Sequence, residues 1–235
     1  MSPQSHITWL HEELHIHFFR FPIFIHHPYF RSRDKSQIDE LISEDVIEQI
    51  VHHAGMAPDN LRSDPVDIAS ALVAESQGCM NNLLLQSDKA RTMFASARLG
   101  VIPGIMALVT GWRELRFPPT TLCTDLKLLF LMTALDSTHR TKKQLLDDHD
   151  ALRGLTGLLN DILAEGKEDS VPLTLCDVHV DLAGGALKVL FNSTLDLGDV
   201  GEDREEANLR LVCQAVNNLF LVATTSLEKR QALTS

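Results

Sequence analysis

The sequence predicts an all-α protein, built as an armadillo- or HEAT-like helical-repeat superhelix, on three observations. Helix-start and helix-stop signals alternate from Ser36 to Thr225 with almost no alternating strand pattern. The chain is 44% hydrophobic but only 6% aromatic, with Leu dominant, which favours helix over strand. Three segments share one grammar, an amide set inside an apolar helical run: Cys79–Ser87 with Asn82, Ala186–Asp196 with Asn192, and Ala215–Phe220 with Asn217. Recurrence of such units, joined by short loops, marks a repeat architecture with a period of about 40 residues. A compact helical bundle is the alternative.

Residues 1–31 stand apart. They hold five of the ten Phe, six of the eleven His and the single Tyr, and lack the later helical period. They read as a short helix followed by an extended, Pro-punctuated stretch. Residues 36–42 and 44–53 then make two short helices, the second ended by Gly55 and Pro58. Asp64-Pro65 opens a long helix running to Gln86, since a capping Asp followed by Pro suits a first turn. Gly78 in its middle either interrupts it or lets a neighbouring helix approach. Further helices are expected at 88–98, 101–115, 121–135, 138–147, 149–165, 178–196 and 203–225, with exposed loops at 165–171 and 198–205. In the helix after Gly184-Gly185, the positions Leu187, Val189, Leu190, Phe191 and Leu195 cover most of the circumference. That pattern predicts packing on several sides, with Asn192 a buried amide that needs partners. Gly184-Gly185 itself reads as a helix-packing contact rather than a phosphate cradle.

Composition excludes some functions. A net charge of -11 and a pI near 5.4, with no basic patch, argue against nucleic-acid binding. The cysteines, Cys79, Cys123, Cys176 and Cys213, are far apart and form no C-x-x-C pair. They read as buried free thiols of a reducing compartment. No secretory signal is read at the start. No run reaches the roughly 18 apolar residues of a membrane span, so the expectation is a soluble intracellular protein.

Two features bear on chemistry or binding. His11-Glu12-Glu13-Leu14-His15 fits H-E-x-x-H, a zinc-binding helix with Glu12 as base. The pattern is short, lies in a His-rich stretch and lacks a placeable third ligand, so chance is the plainer reading and no metal is assigned. No phosphate loop, dinucleotide fingerprint or nucleophile elbow occurs, and no catalytic constellation is visible. Asn82 and Gln86, four apart, share a helix face. They either line a concave groove that binds a peptide backbone or cap neighbouring repeats internally.

Four segments in order, Ser32–Lys35, Cys79–Ser87, Asp125–Leu135 and Ala186–Asp196, resemble the synembryn family (resistance to inhibitors of cholinesterase). These are cytosolic chaperones and guanine-nucleotide exchange factors for G-protein α subunits. The resemblance covers residues 32–235 and implies an armadillo-like repeat domain there, after a divergent 1–31. It implies a partner, the G-protein α subunit in its nucleotide-free or GDP-bound form, whose C-terminal helix is captured in the concave groove. Withdrawing that helix loosens the guanine pocket and releases GDP. The implied partner-binding residues are Arg33, for an acidic or carboxylate end, with Asn82 and Gln86. No cofactor and no bond-making chemistry are implied. Location is cytoplasmic and cortical, with peripheral membrane association through the partner. Tyr29 stands where the family usually has a second arginine, and Cys123-Thr124 where it tends to have two aromatics. The chain ends at Ser235, about midway along a typical member, so the distal repeats are expected to be missing on the C-terminal side. The alternative function is a general helical-repeat scaffold for unrelated peptides.

Overall fold

A computed structural model describes residues 38–40, 42–57, 67–115, 119–136, 140–165, 177–195, 206–207, 209–214 and 216–217. The His11–His15 motif, Arg33, Cys176 and the end of the chain lie outside these. The chain divides into two units, Met1–Ser43 and Glu44–Ser235. In the first, residues 38–40 are helical and the Ile42 amide donates to the Ile38 carbonyl, with both side chains buried.

In the second unit every described regular element is helical. Helix α1 (Glu44–His53) buries Ile47, Ile50 and Val51. It stops where Gly55 takes φ 63°, a left-handed turn that costs glycine little. The Gly55 amide then donates to His52 O and the Met56 amide to Val51 O, the paired bonds of a Schellman cap. Helix α2 (Asp67–Gln86) ends at Ser87, whose extended backbone and side-chain bond to the Ala90 amide start α3 (Asp88–Phe94). The expected 88–98 helix stops early. A 3-10 turn follows at Ala97–Leu99, which carries Arg98 back to Glu44 and Glu48, one turn apart on α1.

Helices α4 (Val101–Thr110) and α5 (Trp112–Leu115) replace the continuous 101–115 helix. Gly111 ends α4, and the chain turns so that Trp112 Nε1 donates to Asp161 Oδ2 at 3.3 Å. Helix α6 (Pro119–Ala134) is followed by Asp136, whose carboxylate accepts from the Thr141 amide at 2.6 Å and starts α7 (Arg140–Asp147). Helices α8 (Ala151–Glu165) and α9 (Asp177–Thr194) follow.

The elements form two rows. The long helices α2, α6 and α9 pack in that order, α6 touching both others. Behind them α4 packs on α6, α8 on α9, and α4 on α8. Along the front row, Cys123 Sγ lies 3.9 Å from Val178 O, a Cβ at Gly185 would stand 3.1 Å from Leu126 Cβ, and Asn192 Nδ2 donates to Thr133 Oγ1 at 3.3 Å. These contacts advance together along both helices, so α6 and α9 run parallel. Behind, a Cβ at Gly154 would meet Met106 and Thr110, and Asp161 meets Trp112 and Arg113, so α4–α5 and α8 run parallel too. Parallel neighbours in both rows are what successive repeats produce. The core between the rows is aliphatic, with Leu84, Ile105, Leu126, Leu129, Leu155 and Leu182 fully buried.

Three expectations need correction. Gly78 neither interrupts α2 nor admits a neighbour, because the helix is continuous and a Cβ there would meet nothing within 4 Å. Cys213 is exposed, whereas Cys79 is buried; an apolar period shows which helix face can be covered, not that something covers it. Helix α9 is not enclosed: Phe191 is 64% and Leu195 61% exposed. Gly185 does make the expected packing contact, while Gly184 meets nothing.

Two glycines separate steric need from chance. A Cβ on Gly104 of α4 would stand 2.3 Å from the Met56 carbonyl oxygen, a backbone atom fixed by the cap of α1. Gly104→Ala is therefore expected to lower stability by about 3 kcal/mol, the range of core overpacking. Gly78→Ala should raise it by roughly 0.5–1 kcal/mol, by removing backbone freedom from the unfolded chain. Urea midpoints of the two variants check both signs.

Candidate partner-binding surface

Three fully buried leucines, Leu84 of α2, Leu129 of α6 and Leu190 of α9, anchor equivalent positions on the front-row helices. Aligning them superposes Asn82-Leu83-Leu84-Leu85 on Lys127-Leu128-Leu129-Phe130 and on Lys188-Val189-Leu190-Phe191. Burial follows the same alignment. The residue two before each leucine faces outward: Asn82 is half-buried, Lys127 and Lys188 are exposed. The residue after it also faces outward: Leu85 is 50% exposed, Phe130 half-buried, Phe191 64% exposed. The front row therefore presents one polar line, Asn82, Lys127 and Lys188, beside one apolar line, Leu85, Phe130 and Phe191. The recurrences fall 45 and 61 positions apart, not at a constant 40.

Asn82 and Gln86 lie four apart on α2, both partly exposed. Gln86 aligns with Asn192 and Asn82 with Lys188. Arg33 lies outside the described residues. Asn192 has the role of a tie, its amide donating to Thr133 across the α6–α9 seam.

Sequence reasoning missed a second tie. Gln77 on α2 and Asp125 on α6 are each 1% exposed. Gln77 Nε2 donates to Asp125 Oδ1 at 2.5 Å and to Thr121 O at 3.3 Å. Asp125 also lines a small cavity with Leu108, Trp112, Pro119 and Leu122. A signal was present: Leu122, Asp125, Leu126 and Leu129 follow helical i, i+3, i+4, i+7 spacing, so Asp125 shares the buried face.

Charge on the front row is uneven. Glu75 and Asp181, both exposed, stand seven residues before Asn82 and Lys188 and so on the same helix faces. Arg91, Arg98, Arg113, Arg153 and Arg210 form ion pairs with carboxylates. Lys127 and Lys188 form none among the described residues. Burial pushes the Cys123 thiol up to about 11, helped by Asp181 and Asp125, and burial with Glu75 pushes Cys79 up to about 11 as well. No group of three or more metal-ligating side chains occurs among the described residues, and no helix there is long and apolar enough to cross a membrane. The surface thus offers hydrogen bonds, cations and apolar contact for an extended partner.

The tie and the thiols can each be tested. Gln77→Leu removes a donor from a buried carboxyl and is expected to cost about 2 kcal/mol. Adding Asp125→Leu should restore most of that, because an apolar pair replaces a buried polar one. Chemical denaturation tests this; a Gln77→Leu protein as stable as the parent would show the tie to be energetically idle. The thiolate is the reactive form of cysteine. In alkylation at pH 8, exposed Cys213 should therefore label well before Cys79 and Cys123, as read by peptide mass mapping.

A family model described as guanine nucleotide exchange factor synembryn matches residues 30–235. The chain is 34% identical over 200 residues to the chaperone Ric-8A of Macaca fascicularis, covering 82% of this chain and 36% of that protein. It is 29% identical over 211 residues to mouse Ric-8A, covering 89% and 36%, and 24% identical over 211 residues to rat chaperone Ric-8B, covering 87% and 40%. The chain thus spans little more than a third of the length of these relatives. It belongs to the synembryn family.

Proposed function

We propose that this chain binds G-protein α subunits by laying their C-terminal helix across the exposed faces of α2, α6 and α9, within an armadillo-like superhelix. By that capture it takes part in guanine-nucleotide exchange and in chaperoning the α subunit. The observation that carries the reading is the paired line of outward residues repeated on three successive helices. An amphipathic helix needs an apolar strip and polar partners beside it, and Leu85, Phe130 and Phe191 beside Asn82, Lys127 and Lys188 supply both. A run of apolar side chains along neighbouring helices, with Leu85 and Phe191 exposed and Phe130 half-buried, is the kind of patch that marks an interaction site. Membership of an exchange-factor family supports the same reading.

The chemistry asked of the chain is recognition. A captured helix is withdrawn from the partner's own fold, and the partner's equilibrium moves toward the open, nucleotide-free form by the differential affinity of the groove for it. Asn82 offers both a donor and an acceptor to a peptide group, Gln86 a second amide one turn on, and Arg33 a fork of donors for a carboxylate. Association with the cell cortex comes through the partner.

Fluorescence anisotropy with a labelled peptide copied from the last residues of a G-protein α subunit tests the reading. Phe191→Ala is expected to cost about 2 kcal/mol of binding, as for a central aromatic anchor. Arg33→Ala should cost about 1.5–3 kcal/mol and Asn82→Ala about 1 kcal/mol, the difference between a charge-assisted and a neutral bond. Variants that all bind as the parent does would replace this reading with that of a general peptide scaffold.

A further inference from the structure

Resting on that reading, we infer that Lys127 and Lys188 select carboxylate groups on the captured helix and so determine which peptides the front row accepts. Both lysines occupy one position of the repeated Leu-Lys-x-Leu-Phe pattern, on the adjacent parallel helices α6 and α9. Both are exposed, and neither makes an ion pair among the described residues. The chain has 32 Asp and Glu against 21 Lys and Arg, and five arginines are paired with carboxylates, so these two ammonium groups are cations open to a partner's carboxylates. Each lysine stands three residues before an outward phenylalanine, Phe130 or Phe191, hence on one helix face with it. A cation beside an apolar surface is matched by an acidic amphipathic helix.

The fold also sets the spacing of the match. Packed helices lie 8–10 Å apart, about the rise of a helical peptide over six or seven residues. A peptide crossing α6 and α9 therefore meets both lysines when its carboxylates lie about two turns apart, with apolar residues between them facing Phe130 and Phe191. Glu75 and Asp181 border the same faces and repel an acidic segment displaced toward them. The lysines thus fix register as well as charge sign, and register is what a long, uniformly apolar strip leaves undetermined.

The test uses the whole chain, two peptides and exposed positions whose substitution leaves packing intact. One peptide is copied from the last residues of a G-protein α subunit. The other is the same peptide with an amidated terminus and its Asp and Glu replaced by Asn and Gln. Lys127→Gln and Lys188→Gln are each expected to weaken the first peptide about three- to fivefold and together about tenfold, the scale of solvent-accessible ion pairs. The thermal melts should match the parent. The parent should favour the first peptide over the neutral one about tenfold at low salt, less as salt rises, and the double variant should lose that preference. A double variant that binds the acidic peptide as tightly as the parent overturns the lysine assignment. So does one that weakens both peptides alike, since the effect would then be loss of contact rather than of charge. A parent that binds neither peptide overturns the G-protein reading beneath it and the lysine assignment with it.

Discussion

Helix α6 is the constraint around which the second unit is arranged. Its residues Leu122, Leu126, Leu128, Leu129 and Met132 are buried, so one covering surface is not enough. It is flanked by α2 and α9 and backed by α4, and its remaining strip, at Thr120, Lys127 and Ala134, faces outward. Hydrophobic burial is non-directional and sets neither the rotation nor the sliding of one aliphatic helix on another. Polar bonds do. Gln77 to Asp125 fixes α2 on α6, and Asn192 to Thr133 fixes α9 on α6. At the first, a shift by one residue would strand a buried polar group at a cost of about 1–3 kcal/mol; at the second, a half-buried amide would lose its bond to a hydroxyl that is already bonded within its own helix.

The ties have a consequence for the outward face. If α6 and α9 slid past each other, Lys127 would no longer align with Lys188, nor Phe130 with Phe191. Close approach at Gly185, where a Cβ would press on Leu126, holds the two helices near enough for both lines to be continuous. A buried carboxyl such as Asp125 is poor evidence for stability, since an apolar pair often does as well. Its contribution here is register, which supports treating the outward lines as one surface rather than three separate helix faces.

Much of this was legible in the sequence. Breakers and the apolar period located most helices, because Gly55 and the spacing of apolar residues act locally. Family membership was legible from the segments around Asn82, Lys127 and Asn192. The errors share a cause. Phe191 and Leu195 look like core residues because an exposed apolar strip is built from the same residue types as a core. Periodicity reports apolarity, not the identity of what covers it. The expected period of about 40 residues does not hold constant, because the aligned leucines fall at unequal intervals of 45 and 61, the difference being taken up in loops and in α7 and α8. Gln77 and Asp125 were passed over as ordinary polar residues of helices. Only their spacing against neighbouring leucines marked them as buried. Of the partner-binding residues expected from sequence, Asn82 and Gln86 fall on the outward side of α2.

The electrostatic balance gives the surface its meaning on the proposed reading. A chain of net charge -11 repels acidic segments at long range, so its field cannot steer an acidic helix toward it. Attraction must then be local, confined to within a Debye length of about 8 Å in physiological salt. Lysines are suited to that role: their strongly hydrated ammonium groups on flexible stems form modest bonds and release them. Aromatic neighbours supply the area and the lysines the choice of sign and register. On that reading, a surface whose specificity rests on several weak, screened contacts releases its peptide more readily than one built on a single deeply buried pair.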